Sequence, residues 1–184
     1  MKPYPVQYIA ESGLATGARV IVRPIRPDDE AMMVHFHEGL SDRSVCLRYF
    51  HMMALAQRTA HERLMRICVV DFDHEFVLVA EGRDEERGVP VILGVARLQR
   101  AGGRGEAEFA VVVADRHQGM GVGGALMRQV MAVARQEGVS RLRAEILSEN
   151  GPMRRLCERA GIPVRPTSDP QVVEADLALK PGLS

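Results

Sequence analysis

AEFAVVVADRHQGMGVGGAL, residues 107–126, decides the fold. Phe109 to Ala114 make an apolar, β-branched run; a polar turn follows, then a glycine-dense loop over 118–124, then a segment of helical periodicity. That order is strand, loop, helix. Glycines at 119, 121, 123 and 124 let the backbone approach a ligand closely. They also leave the first N–H groups of the helix pointing outward at its positive dipole end. Such a loop is a cradle for a pyrophosphate.

Upstream, FVLVAEG (76–82) and VPVILGVARLQR (89–100) flank the turn EERG (85–88) and read as an antiparallel hairpin; AGGRGEA (101–107) then turns into the strand already quoted. Antiparallel strands ahead of the loop argue against a Rossmann unit. Downstream, Val122, Leu126, Val130, Val133 and Ala134 form the apolar stripe of a helix ended by Gly138. VSRLRAEIL (139–147) alternates as a strand, Asn150 caps a helix with Pro152 in its first turn, and short β segments near Val164 and from Val172 to Leu179 follow.

Residues 1–17 hold two prolines and two glycines without a sustained period, which describes an N-terminal arm that folds back, with one short strand, or pairs with another subunit in a homodimer. The remaining 18–184 form one domain. A strand from Ala18 leads to a helix started by Asp28 and Asp29, with Met32, Met33, Phe36 and Leu40 on one face. Ser41 caps a second helix, and further helix runs through AQRTAHERLMRICVV, with Leu64, Ile67 and Cys68 inward; these two flank the substrate entrance, where Met52 and Met53 offer a pliable lining.

At 184 residues the chain buries one core without disulfides or metals. Lys plus Arg and Asp plus Glu are equal at 24 each, so no bulk charge favours nucleic acid or an anionic membrane. Three cysteines in no metal-like spacing suit reduced thiols, and with neither a signal-like segment nor a stretch long enough to span a bilayer the expected location is the cytoplasm. Asp71, Asp73, His74 and Glu75 alternate on an extended run, and His35 and His37 face different ways on a helix, so no metal site is expected.

With these elements in this order, the sequence resembles the GNAT superfamily of acyl-CoA-dependent N-acetyltransferases. Its signature Gln/Arg-x-x-Gly-x-Gly/Ala appears as Gln118, Gly121 and Gly123 between an apolar strand and a helix. The resemblance implies an α/β (α+β) fold: a mixed, mostly antiparallel sheet flanked by helices, with splayed central strands. It implies that acetyl-CoA is the co-substrate. Its pyrophosphate would lie on the N–H groups of Gln118, Gly119, Met120, Gly121, Val122, Gly123 and Gly124. Its pantetheine arm would pair with Val111, Val112 and Val113, with a further contact from the helix-capping Asn150.

A narrower likeness lies in RPIRPDDE (23–30), LSDRSVCLRYF (40–50) and DFDHEFVLVA (71–80), which look like the acetyltransferase domain of bacterial protein lysine acetyltransferases. It implies a free-standing catalytic domain acting on a protein lysine, with a small-molecule amine or an acyl-CoA-sensing module as the alternatives. A lysine amine, with its ordinary pKa of about 10.4, must lose a proton before it attacks. Glu108, a carboxylate entering an apolar strand, is the candidate general base, and the lysine acetyltransferases it resembles carry a catalytic glutamate there; otherwise it is a solvated residue at a strand mouth, like Glu106. Many GNAT enzymes protonate the leaving thiolate from a tyrosine seven residues after the capping asparagine. Cys157 stands at that position, either as a weak donor or as a small apolar filler.

Overall fold

The fold comes from a computed structural model that describes residues 2–84, 86–102 and 105–179. Of the expected features, Met1, Glu85, Gly103, Arg104 and positions 180–184 lie outside the described residues. The strands are β1 (Ala10–Gly13), β2 (Arg19–Pro24), β3 (Glu75–Arg83), β4 (Pro90–Arg100), β5 (Glu106–Val113), β6 (Arg141–Leu147), β7 (Val164–Pro166) and β8 (Val172–Ala178). The helices are α1 (Glu30–Glu38), α2 (Asp42–Tyr49), α3 (Leu55–Arg58), α4 (His61–Cys68), α5 (Val122–Gln136) and α6 (Gly151–Arg159). Among the described residues the strands form one sheet in the order β1-β2-β3-β4-β5-β6-β8-β7, in which only the β5–β6 pair is parallel.

Successive strand residues point to opposite faces, and the two faces are covered differently. On one face α5 buries Val122, Leu126, Val130 and Val133. Gly94 of β4 admits the helix: a Cβ there would lie 2.9 Å from Leu126 and 3.1 Å from Val122. Val77, Val95 and Val112, of the opposite parity, meet α1, α2 and α4 on the other face. Chain segments of complementary apolar pattern thus sandwich the central strands.

The arm folds back as β1, paired with β2, and buries Tyr8, whose hydroxyl donates to Glu137 at 2.8 Å. In α1 the inward residues are Met33, Phe36 and His37, and Met32 is only half-buried, so the expected face is rotated to include a histidine. The helix expected through AQRTAHERLMRICVV breaks between α3 and α4, where Ala60 adopts extended backbone. The break leaves Arg58 buried, and its guanidinium donates to the carbonyls of His37 and Leu40 at the end of α1, where a cation suits the helix dipole. Arg23 is also buried: its two terminal nitrogens donate to the Asp29 carboxylate at 2.7 Å each and its Nε to Glu81 at 2.7 Å. This fork ties β2 to β3 and to the start of α1.

Candidate active site

β5 and β6 pair only through Glu106 with Arg141, Ala107 with Leu142 and Glu108 with Arg143. Beyond that rung the strands part, while β5 stays paired with β4 and β6 with β8. The backbone edges that face each other across the gap are therefore open to a third partner. Phe109, Ala110 and Val111 line the gap on one side and Ala144, Glu145 and Ile146 on the other, with Arg48 and Phe50 above and Asn150 and Met153 at its end. Asn150 keeps its capping role, accepting from the Met153 N–H at 3.1 Å, while lining the gap.

The wide end of the gap opens toward the glycine loop. Gly119 and Gly121 have φ of +76° and +98°, a region that glycine enters without penalty. No side chain caps the first turn of α5 and no acidic residue stands in it, so its leading N–H groups face outward at the positive end of the dipole. Gln118 Nε2 donates to the Val113 carbonyl at 3.1 Å and to Ser44 Oγ at 3.3 Å, which pins the loop to the end of β5 and to α2. From the other side, the Ala15 N–H donates to the Met120 carbonyl at 3.1 Å. Of the three valines expected to face a ligand arm, Val111 lines the gap, Val112 points into a cavity on the opposite face, and the carbonyl of Val113 is engaged by Gln118.

That cavity, of about 530 Å³, lies between α1, α2, α4 and the sheet. Arg48 lines both it and the gap, so the two meet there. Four arginines, Arg48, Arg63, Arg66 and Arg97, enter the cavity against one carboxylate, Glu75, which Arg97 binds at 2.6 Å. Tyr49 lies between two of them, with Arg48 at 4.8 Å and Arg63 at 5.3 Å from its ring centroid. His37 also lines the cavity; it is 1% exposed, and neither ring nitrogen has a hydrogen-bond partner among the described residues. Burial, reinforced by Arg63 and Arg58, pushes its pKa down to about 4, which holds the ring neutral. Burial likewise lowers the pKa of Arg48, with Arg97 and Arg63 adding repulsion.

Glu108 sits on the last β5–β6 rung, its side chain exposed on the cavity face of the sheet. Exposure removes the burial cost expected of a carboxylate in this strand. Glu106 is half-buried, with Arg143 at 3.8 Å and Arg141 at 4.0 Å, and Arg143 is in turn bound by Glu174. Cys157, on the inward side of α6, is fully buried, does not line the gap, and has its thiol pushed by burial up to about 11, as suits an apolar filler. Met52 and Met53 do not line the cavity. The Asp71 carboxylate accepts from His74 Nδ1 at 2.8 Å, and no group of three or more metal-ligating side chains is present among the described residues. No helix among them is long and apolar enough to cross a membrane.

Sequence reasoning missed His37 and the arginine cluster. Only Arg63 and Arg66, three apart on one helix, carry a local signal; Arg48 and Arg97 join them through tertiary packing.

Known proteins share the fold. Residues 19–162 match the acetyltransferase (GNAT) domain family. The solved GNAT domain of S. lividans PAT is 32% identical, with a TM-score of 0.83 over 96% of this chain and 100% of that one. An acetyltransferase of Pseudomonas aeruginosa is 28% identical over 144 residues, 78% of this chain and 75% of that protein. Acetyltransferase Pat of Mycolicibacterium smegmatis is 30% identical over 160 residues, 86% of this chain but only 44% of the longer protein. A Salmonella typhimurium protein solved with its cofactor acetyl-CoA, at 22% identity, shares the fold with a TM-score of 0.61 over 90% of this chain and 96% of that one.

Proposed function

The chain belongs to the acetyltransferase (GNAT) family, and from that premise we propose that it acetylates a primary amine, a protein lysine side chain, by direct attack in a ternary complex with acetyl-CoA. The residues present fit the donor. Positive-φ glycines, an uncapped helix N-terminus free of acidic residues and two open strand edges are what a pyrophosphate followed by an amide-bearing arm needs. The N–H groups from Gln118 to Gly124 would hold the diphosphate, and the β5 edge at Val111 to Val113 with Asn150 would hold the arm. Acetyl-CoA supplies an activated acyl group as a thioester.

The observation that carries the reading is the position of Glu108 at the vertex where β5 and β6 part, on the face that also holds the cavity. A carboxylate there is exposed at the closed end of the gap and lines neither the gap nor the cavity, so an acceptor amine would approach it from solvent on that face. Glu108 accepts the proton that the attacking amine must shed, directly or through one water. Support for a lysine acceptor comes from the likeness to the GNAT domain of PAT. The cavity favours one second reading, a small amine, since about 530 Å³ encloses a molecule of that size. Thiol release from acetyl-CoA, measured with lysine peptides and small amines, tests both: release with peptides supports the first reading, and release with small amines alone replaces it by the second.

A further inference from the structure

The cavity is built for negative charge. It gathers four guanidinium groups against a single carboxylate, and that carboxylate is already bound by Arg97. Arg48 and Arg63 both stand over the Tyr49 ring, and Arg63 also donates to the Arg58 carbonyl at 3.3 Å; among the described residues neither has a carboxylate partner. Arg66 stands exposed at the rim on the same helical face as Arg63. Like charges brought together in a partly dry space repel one another unless an anion joins them. The second observation is His37. A fully buried imidazole ordinarily has its nitrogens satisfied, and here both lack partners while the ring lines the cavity. Held neutral, it adds no further positive charge to the cavity.

We propose that the cavity is an anion-recognition site for the acceptor: the amine that is acetylated carries a carboxylate near it, held by Arg48, Arg63 and Arg66 in the cavity that His37 also lines. The proposal rests on the reading of the cavity as the acceptor's approach. Cationic walls repel a bare ammonium, and an anion carried beside the amine supplies the missing counter-charge. Arginine is the side chain suited to this, because its planar fork matches both carboxylate and phosphate oxygens. The shared chemistry has two sources, acidic residues flanking a lysine or the carboxylate of a small amino acid.

Two measurements test it. In the first, thiol release is followed with lysine peptides flanked by Asp and Glu or by Asn and Gln, and with β-alanine against β-alaninamide. The charged member of at least one pair is expected to show a kcat/KM higher by about tenfold or more, mostly through KM, as one charge-assisted contact would give. Whichever pair responds identifies the source. In Arg66→Gln and Arg48→Gln the ratio falls toward one, and Arg66→Lys restores part of it. Equal rates for charged and neutral acceptors, or an unchanged ratio in both variants, would overturn the anion site while leaving acetyl transfer standing.

The second measurement needs no turnover. With coenzyme A saturating, so that the glycine loop is filled, a fluorescent acidic peptide carrying norleucine in place of lysine and its neutral counterpart are titrated by anisotropy, with β-alanine as a competitor. Tighter binding of the acidic peptide, or displacement by β-alanine but not its amide, with loss of either in Arg66→Gln, supports the site even where no amine releases thiol; that combination would instead overturn the transfer reading. No difference in either arm sinks the site.

Discussion

Glu108 and Arg143 face each other across the last rung joining β5 to β6, and past them the two strands share no further pairs. The position matters because a parallel ladder that stops after three pairs leaves unpaired backbone in the middle of a sheet, where satisfied groups are the rule. The gap thus opens the sheet near its middle, between β5 and β6. The glycine loop opens at its wide end and the arginine-lined cavity meets it at Arg48.

Gly121→Ala is expected to weaken coenzyme A binding. Its φ of +98° costs a side-chain-bearing residue about 1–2 kcal/mol, and the new methyl would stand 3.4 Å from the Ala15 nitrogen in the turn that braces the loop. Gly138, with φ of +70° and nothing within 4 Å of a Cβ, lies at the far end of α5. Calorimetric titration should therefore show reduced affinity for Gly121→Ala and native affinity for Gly138→Ala, with both losing thermal stability. Equal affinities would separate the loop from the binding role.

Removing Asp29 strands a buried charge. Asp29→Ala leaves Arg23, 2% exposed, with only Glu81 as its acidic partner, and a broken buried pair costs about 3–5 kcal/mol. Arg23→Met combined with Asp29→Leu should lose less, because both charges go together. Denaturant melts of the two variants decide this; a double variant as unstable as the single one would contradict it.

Stability should fall as pH drops from about 6.5 toward 4. The folded His37 has its pKa lowered to about 4 by burial first and by Arg63 and Arg58 second, while the unfolded residue keeps its ordinary value near 6.5. Between these values the unfolded chain binds the proton and the folded one does not, so acid favours unfolding. Melting temperatures of the wild type and His37→Leu across this window should diverge, the variant having the flatter profile. Parallel profiles would mean that His37 titrates in the folded protein as it does in the unfolded one.

Cys157→Ala should keep full kcat. The thiol is buried away from the gap and raised to about 11, so it has neither the access nor the acidity to protonate a leaving group. Its loss leaves a small void and costs about 1 kcal/mol of stability. A fall in kcat at unchanged folding would restore the donor role.

Much of this was legible in the chain because local chemistry marked it. The β-branched run into glycines marked β5 and the loop, the stripe from Val122 to Ala134 marked α5, and Asn150 with Pro152 marked the start of α6. Ser41 does cap α2, accepting from the Ser44 N–H. What stayed hidden depends on residues distant in sequence. Nothing local marks Arg23 as buried; Asp29, six residues on, and Glu81, 58 residues on, close around it only in the fold. His37 shares the i, i+3, i+4 face of Met33 and Phe36, but a polar ring at that position gives no local sign that it is buried with them. The gap itself is a pairing that stops, and a strand's own sequence does not say where its neighbour leaves it.

The central claim is that Glu108 takes the acceptor's proton at the mouth of the gap, and kcat/KM of Glu108→Gln across the pH range tests it most directly. The account predicts a loss of roughly 10²- to 10⁴-fold near neutrality, the usual contribution of a positioned base, narrowing as rising pH frees the amine without help. Native coenzyme A affinity and native melting would accompany that loss. A Glu108→Gln enzyme with full kcat/KM at every pH would contradict the account and leave Glu108 a solvated residue at the strand mouth.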